Sequence, residues 1–167
     1  MPVERRPITP WGYSKLRTEL KRLREIEIPA NIRAIEEARS HGDLSENAEY
    51  KYAKEQQSFI IGRERELETL ICTAEVINPA SICSDRIVFG ATCTLLDVDS
   101  GDEVVYTIVG EPESNAAKGR VSVVSPIARS LIGKRIGDEA TVIAPKGKRT
   151  FEVLAIRFLN TDSWDDD

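Results

Sequence analysis

Residues 41–50 read HGDLSENAEY, and they separate two long segments with helical patterning. Before them, the stretch from Thr9 to Gly42 repeats apolar residues at spacings of three and four, the period of one face of a helix. After them, the same kind of pattern predicts a second helix from near Ser45 to about Ile77. Two such helices joined by a short turn must run antiparallel, so this stretch predicts a coiled-coil hairpin.

The apolar stripes predict which face each helix buries. The first helix is expected to bury Leu16, Leu20, Leu23, Ile28, Ile32 and Ile35, with a slip and a kink at Pro29. The second helix is expected to bury Tyr52, Phe59, Leu67, Leu70, Ala74 and Ile77. Thr9 followed by Pro10 predicts the start of the first helix, and Gly42 predicts its left-handed end.

After Asn78-Pro79 the apolar period changes to two, which is typical of strands. The predicted strands are Ile87–Leu96, Glu103–Val109, Arg120–Val124, Ala140–Ala144 and Thr150–Phe158. A short helix is predicted over Ser125–Gly133, with Ser as N-cap and Pro at its first position. The fold class is therefore α+β: an N-terminal helical hairpin (1–78), a small antiparallel β-sheet domain with one short helix (79–159), and an acidic, disordered tail (160–167).

The charge balance limits the kinds of partner. The chain has 23 Lys+Arg, 28 Asp+Glu and a net charge of −5, and four of the acids lie in the last six positions. Duplex binding normally needs a basic excess to displace counterions, so stand-alone DNA binding is not expected. The three cysteines form no C-x-x-C pair and there is one His, which indicates reduced cysteines in a cytoplasmic protein with no membrane span or export signal.

Asp43 and Glu46 stand out in the turn because they lie three residues apart where the second helix is expected to start. One interpretation is a capping box, in which each carboxylate accepts from a backbone N–H at the helix start. The other is chemical: a helix N-terminus favours ionised carboxylates, which can hold Mg²⁺ or a metal-bound water. The two do not exclude each other. Two carboxylates alone bind Mg²⁺ weakly, so any chemistry needs a partner that completes the site.

Several motifs together resemble one family. They are the turn 41–50, Glu55-Gln56-Gln57, Phe89-Gly90-Ala91-Thr92 and the run from Ser125 to Gly133. On these motifs the chain, from about Pro7 to Phe158, resembles the Gre family of bacterial transcript cleavage factors, in its GreA-like form. The resemblance implies that the C-terminal domain has an FKBP-like fold.

The resemblance also implies a function. Family members bind RNA polymerase at the mouth of its secondary channel, and their hairpin enters the channel. There the tip stimulates the polymerase's own cleavage of backtracked nascent RNA near its 3′ end, so that elongation resumes. The chain is then an accessory factor that activates the polymerase and is not an enzyme by itself.

Matched by position, the resemblance assigns roles to individual residues. Asp43 and Glu46 are the acids that would share the polymerase's Mg²⁺, supported by Ser45 and Asn47. Arg39 and Lys54 match the basic patch for the extruded RNA. The residues that would dock on the polymerase's rim helices are Ser125, Pro126 and Arg129.

Two other functions remain open at this point. One is a polymerase regulator that occupies the channel without stimulating cleavage, although such proteins alter the tip whereas the Asp43/Glu46 pair here matches the cleaving form. The other is a prolyl isomerase, suggested by the FKBP-like domain. Fold alone does not carry that function, and an aromatic content of 6% leaves little to line an isomerase pocket.

Overall fold

The computed structural model describes residues 4–42 and 47–164. Its elements are four helices, α1 (Pro10–Arg22), α2 (Ile28–Arg39), α3 (Ala48–Thr73) and α4 (Pro126–Leu131), and seven strands, β1 (Arg6–Ile8), β2 (Ala74–Val76), β3 (Ala91–Asp97), β4 (Glu103–Val109), β5 (Arg120–Ser122), β6 (Glu139–Ala144) and β7 (Gly147–Phe158). Within these residues, none of the helices has both the length and the apolar character needed to cross a membrane.

The chain divides into two compact units. Ser14–Thr73 form the helical unit, and the described residues before and after it form the sheet unit. The division therefore falls after Tyr13 and after Thr73, whereas the expected boundary was at 78/79. The first residues join the sheet unit because β1 pairs in parallel with β2, and Ile77 N–H donates to Ile8 O at 2.8 Å.

The helical unit confirms the predicted antiparallel hairpin. Contacts between the two arms pair early residues of one with late residues of the other. Arg63 donates to both oxygens of Glu19 at 2.7 and 2.8 Å, and nearer the turn the Asn31 amide donates to Ala53 O at 3.0 Å. Arg24 adds ion pairs with Glu64 and Glu68.

A π-helical turn, Leu23–Glu27, absorbs the predicted slip in the first helix. Ile28 N–H donates to Leu23 O, five residues back, and Pro29 follows with no N–H to continue the ladder. The buried positions before this turn, Leu16 and Leu23, are seven apart; those after it resume one residue later, at Ile35 and Ala38. The wider turn thus inserts one residue and keeps the apolar stripe facing α3.

The predicted burial is wrong at three aromatic or branched positions. Tyr52 is 63% exposed, Phe59 is 74% exposed and Ile32 is 47% exposed. The buried residues of α3, Ala53 and Leu67, form the seam that packs against the first helix, and their spacing is a multiple of seven. Ala53 lies one residue after the predicted position, Tyr52. Tyr52 and Phe59 form a parallel stripe beside that seam, on the outside.

The ends of α3 also differ from the prediction. The helix begins at Ala48, not near Ser45, and Asn47 is its N-cap. It ends at Thr73, and the chain continues as β2, so Ala74 and Ile77 are not part of a helical face. The reason is long-range: β1 offers main-chain partners to this β-branched end of the segment.

The larger sheet has the strand order β5-β4-β3-β7-β6. All neighbouring pairs are antiparallel except β4 and β5, which are parallel, so the predicted antiparallel sheet is confirmed except at this edge. Two 3₁₀ turns, Glu111–Glu113 and Ala116–Lys118, carry the chain back before β5 begins. The core lies between one face of the sheet and α4, with Phe151, Leu95, Ile108 and Leu131 fully or almost fully buried.

Glu113 is a buried carboxylate that ties the 3₁₀ turn to the start of α1. One oxygen accepts from the N–H groups of Thr9 at 2.9 Å and Gly110 at 2.8 Å, and the other accepts from the Thr9 hydroxyl. Burial raises the pKa of Glu113, and these hydrogen bonds oppose the rise. The group explains why Thr9 is fully buried although it is polar.

The described part of the tail is packed, which corrects the expectation of disorder for residues 160–164. Thr161 is buried, and Trp164 meets Trp11 edge-to-face with ring centroids 5.4 Å apart. The Arg120 guanidinium lies 4.6 Å from the Trp11 ring centroid and 5.1 Å from that of Trp164. Two aromatic rings and one cation thus anchor this segment.

Asp97 gives the sheet unit an acid-sensitive contact. Its carboxylate accepts from Arg149 at 2.7 and 3.2 Å and from the N–H groups of Asp99 and Ser100. Arg149 first, and then the backbone donors, hold the pKa of Asp97 below its usual range. A lowered pKa in the folded state stabilises the fold above the unfolded value, and this stabilisation is lost as pH falls through the folded value.

We therefore expect the unfolding free energy to fall as pH drops below about 4, the ordinary pKa of Asp. The Asp97→Asn variant should lose less stability over that range than the wild type does. Urea titrations at pH 5, 4 and 3 measure the difference, with Asp102→Asn as an exposed control. Equal acid sensitivity in the wild type and Asp97→Asn would contradict the assignment.

Candidate functional site at the end of the hairpin

The end of the hairpin is built by the last turn of α2 and the first turn of α3. The α2 helix stops at Arg39, and Ser40 closes it by donating from its hydroxyl to Glu37 O at 2.6 Å. His41 N–H then bonds three residues back, to Ala38 O, and Gly42 has a positive φ of 109°. The left-handed Gly42 was predicted to end the first helix; the observed helix ends at Arg39, three residues earlier.

Asn47 fastens the two helices together beside the turn. Its side-chain oxygen accepts from Tyr50 N–H at 3.1 Å and so caps α3, while its side-chain nitrogen donates to Ala38 O at 2.6 Å at the end of α2. One amide therefore satisfies an N–H group in the first turn of α3 and gives Ala38 O, which also accepts from His41 N–H, a second hydrogen bond. The resemblance assigned Asn47 to the support of the tip. The structure shows Asn47 joining the two helix ends, and its role in supporting Asp43 and Glu46 stays a prediction.

The two tip acids lie outside the described residues, as do Ser45 and the predicted capping box of Asp43 with Glu46. What the structure gives is the frame on each side of them, Gly42 and Asn47. The cap that it shows for α3 is made by Asn47. Removing the Asp43 or Glu46 carboxylate therefore leaves this cap in place.

Arg39 and Lys54 lie on one flank of the hairpin, which we call the basic flank. The Arg39 guanidinium carbon is 5.9 Å from the centroid of the Tyr50 ring, across the two helices. Lys54 follows Tyr50 by one helical turn, so both project on the same side of α3. The Lys54 ammonium donates to the Gln57 side chain at 2.8 Å, and both cations are exposed. The two residues of the predicted basic patch thus share a surface.

The opposite flank carries a groove that the sequence did not reveal. It has a volume of about 290 Å³ and lies between α2 and α3. Its lining residues are Asn31, Ala34, Glu37, Ala38, Glu49, Tyr52, Ala53 and Gln56. The signal that could have found it is the seven-residue seam through Ala53, which places Tyr52 outside the hairpin core and beside a row of alanines.

The predicted docking residues begin α4 in the sheet unit. The Ser125 hydroxyl accepts from Ala128 N–H at 3.3 Å and donates to Ser122 O at 2.6 Å, so it caps the helix and fixes the preceding turn. Pro126 and Arg129 are exposed, and so is Val124 just before the cap. Pro126, Arg129 and Val124 are therefore accessible to a partner. The Ser125 hydroxyl is already occupied by hydrogen bonds within the fold.

Metal binding by the described residues has no structural basis. Among residues 4–42 and 47–164, no group of three or more His, Cys, Asp or Glu side chains is placed to hold an ion. Cys93 is buried, which raises its thiol pKa to about 12, while Cys72 and Cys83 are exposed. The only carboxylates proposed for a metal are Asp43 and Glu46, and they would need ligands from another molecule.

Comparison with known proteins identifies the family. One family model, described as "Transcription elongation factor, N-terminal", matches residues 6–76, and a second, described as "Transcription elongation factor, GreA/GreB, C-term", matches residues 82–158. The chain is 54% identical over 153 residues to the transcription elongation factor GreA of Alkalilimnicola ehrlichii, covering 91% of this chain and 97% of that protein. It is 53% identical over 154 residues to the GreA of Hyphomonas neptunium, covering 92% and 98%.

A solved structure, the GreA factor homolog 1 protein of Thermus thermophilus, shares 28% identity and covers 92% of this chain and 99% of its own, with a TM-score of 0.43. The two family models together span nearly all of the described residues, and the curated relatives align over almost their whole length. The chain belongs to the GreA/GreB family of transcription elongation factors.

Proposed function

We propose that this elongation factor binds bacterial RNA polymerase at its secondary channel and stimulates cleavage of backtracked nascent RNA. The sheet unit would dock on the rim helices through Pro126 and Arg129 beside Ser125. The hairpin would enter the channel and bring Asp43 and Glu46 to the polymerase's active site. The proposed place of action is the cytoplasm, where bacterial RNA polymerase works.

The tip carboxylates are suited to Mg²⁺, because hard divalent cations take oxygen ligands. Too few ligands are available here for the chain to hold the ion alone, so the polymerase must supply the rest. When bound there, the ion would polarise the phosphate and lower the pKa of an attacking water. The contribution of this chain would be to bring the Asp43 and Glu46 carboxylates to that ion as additional oxygen ligands.

The observation that carries the proposal is the frame of the tip. Asn47 bonds to the end of α2 and to the start of α3, so the chain on either side of residues 43–46 is held at one place. Fixing the two helix ends reduces the freedom that the flanking chain would lose on binding, which favours catalysis by positioning. The basic flank with Arg39 and Lys54 would hold the displaced RNA through its phosphates.

Single-turnover RNA cleavage by a stalled, backtracked elongation complex tests the proposal. With saturating wild-type protein the cleavage rate should rise, and Asp43→Ala or Glu46→Ala should lower the saturating rate by roughly 100-fold, the scale of losing one preorganised electrostatic contact. Glu55→Ala, an exposed acid on α3, is the control and should behave as the wild type.

Binding to the polymerase should survive in both tip variants, because the docking residues are untouched. Far-UV circular dichroism should show unchanged helicity, since the cap that Asn47 makes on α3 stays in place in both variants. Cleavage at the wild-type rate by both variants would overturn the proposed role of the acids. A wild-type protein that binds and slows elongation without any cleavage would instead identify a non-cleaving channel regulator.

A further inference from the structure

We propose that the groove beside Tyr52 receives an arginine side chain from the wall of the polymerase channel. This inference rests on the proposed function, because it assigns a contact to the hairpin once it is inside the channel. The groove's chemistry selects the occupant. It is a shallow site with a small-residue floor, one aromatic wall and two carboxylates at the end nearer the turn.

The floor of the groove is formed by Ala34, Ala38 and Ala53. Ala38 and Ala53 are 2% and 5% exposed, so the helices meet closely here and leave no side chain to fill the space above them. Tyr52 stands at the side of this floor, and its exposure of 63% leaves its ring open to solvent. An aromatic ring beside an open small-residue floor can stack against a planar group.

The polar atoms of the groove are mainly acceptors. Glu37 and Glu49 supply two exposed carboxylates. Asn31 uses its nitrogen to donate to Ala53 O, which leaves its side-chain oxygen as an acceptor. His41 Nε2 lies 3.8 Å from Glu49 Oε2, beyond hydrogen-bond distance, and forms an ion pair with it only when the imidazole is protonated. A planar cation with several N–H donors, a guanidinium, matches both the acceptors and the aromatic ring.

The groove and the basic flank lie on opposite sides of the same two helices. Residues 49, 52 and 56 follow one edge of α3, and residues 50, 54 and 57 follow the other. Nucleic acid is favoured on the side of Arg39 and Lys54, whereas Glu37 and Glu49 would repel its phosphates. A protein side chain of positive charge is therefore the occupant that the charges favour for the groove.

Equilibrium binding of the full chain to core RNA polymerase, followed by fluorescence anisotropy of an N-terminal label, tests this contact. The double variant Glu37→Gln/Glu49→Gln and the single variant Tyr52→Ala should each weaken binding by about tenfold, the size expected for a charge-assisted or cation–π contact. Tyr52→Phe keeps the ring and should bind as the wild type. Glu36→Gln/Glu55→Gln makes the same change in net charge at exposed positions outside the groove and is the matched control.

The same variants in the cleavage assay separate this inference from the proposed function. Groove variants should need about tenfold more protein for half-maximal cleavage and reach the wild-type rate at saturation, whereas the tip variants lower the saturating rate. Affinity equal to that of the Glu36/Glu55 control would overturn the arginine contact and leave the cleavage role intact. Tighter binding by the Glu37/Glu49 variant would also overturn it, because that result indicates a nucleic-acid occupant. If the wild type fails to stimulate cleavage while the groove variants still bind the polymerase more weakly than the control does, the result contradicts only the proposed function.

Discussion

Leu67→Ala should destabilise the hairpin by about 3 kcal/mol, within the usual range of 2–5 kcal/mol for a buried leucine. Leu67 has no exposed surface and lies in the seam of α3, so truncation removes apolar contacts and leaves a cavity between the helices. Urea unfolding followed at 222 nm measures the loss, since most of the helical signal comes from Ser14–Thr73.

Phe59→Ala is the matched control on the same helix. Its ring is 74% exposed, so truncation should change the unfolding free energy by no more than about 0.5 kcal/mol. The pair tests the seam directly, because the sequence pattern placed both residues in it and the structure keeps only Leu67. A cost for Phe59→Ala as large as that for Leu67→Ala would restore the predicted register.

The hairpin could be predicted because its signals are local. Helical periodicity, Thr9-Pro10 at the start and Gly42 at the end depend on neighbours within one or two turns. The one-residue error in the seam of α3 has a physical cause. Tyr52 and Phe59 repeat every seven residues, as the true seam does, and a hydrophobic pattern favours large side chains. The close approach at Ala53, where Asn31 bonds to its carbonyl, requires a small one.

The slip at Pro29 could be seen in the sequence, but its form could not. A proline predicts a kink because it removes one hydrogen bond and clashes with a carbonyl one turn back. Here the preceding turn widens so that Ile28 bonds to Leu23, and the extra residue is absorbed without ending the helix. Whether the turn widens depends on which face of the helix must contact α3 after Pro29. The local sequence around Pro29 does not contain that information.

The contacts missed in the sheet unit all join distant parts of the chain. The β1–β2 pair joins residues 68 positions apart, Arg6 with Ala74, and Trp164 finds Trp11 across almost the whole sequence. Short polar-flanked segments such as Arg6–Ile8 have no period long enough to predict a strand. The acidic composition of the tail predicted disorder from residue 160. Contacts of the Arg120 guanidinium with the rings of Trp11 and Trp164 instead hold the segment up to residue 164 in place.

Sequence motifs predicted individual residues of the candidate site, but they could not predict features that depend on both helices together. Asn47, Arg39 and Lys54 came from motif positions, and the structure shows how Asn47 joins two helices and that the two cations share a flank. The roles of Asp43 and Glu46 stay predictions, since those residues lie outside the described part of the chain. The groove could not be predicted, because it arises only when both helices are placed side by side in the correct register.

Gly12→Ala should destabilise the sheet unit by about 2 kcal/mol, although alanine is the better helix former. Gly12 lies in the first turn of α1, and a Cβ there would lie 2.2 Å from a Glu113 carboxylate oxygen. That oxygen cannot move freely, because Glu113 is buried and is held by Thr9 and Gly110. Trp11 and Trp164 are the two tryptophans of the chain and contact each other in this unit, so their fluorescence during urea unfolding measures the effect.

Gly62→Ala is the opposite experiment in the middle of α3. An added Cβ there meets nothing within 4 Å, so the gain in helix propensity should stabilise the hairpin by about 0.5–1 kcal/mol. The same glycine-to-alanine change is thus expected to stabilise at position 62 and to destabilise at position 12, and only the neighbourhood of Glu113 accounts for the difference.

If Gly12→Ala is neutral or stabilising, Glu113 is not fixed where its three hydrogen bonds place it. A Gly12→Ala/Glu113→Gln double variant separates this cause, since a loosened Glu113 site should make the added methyl group less costly than in the wild-type background.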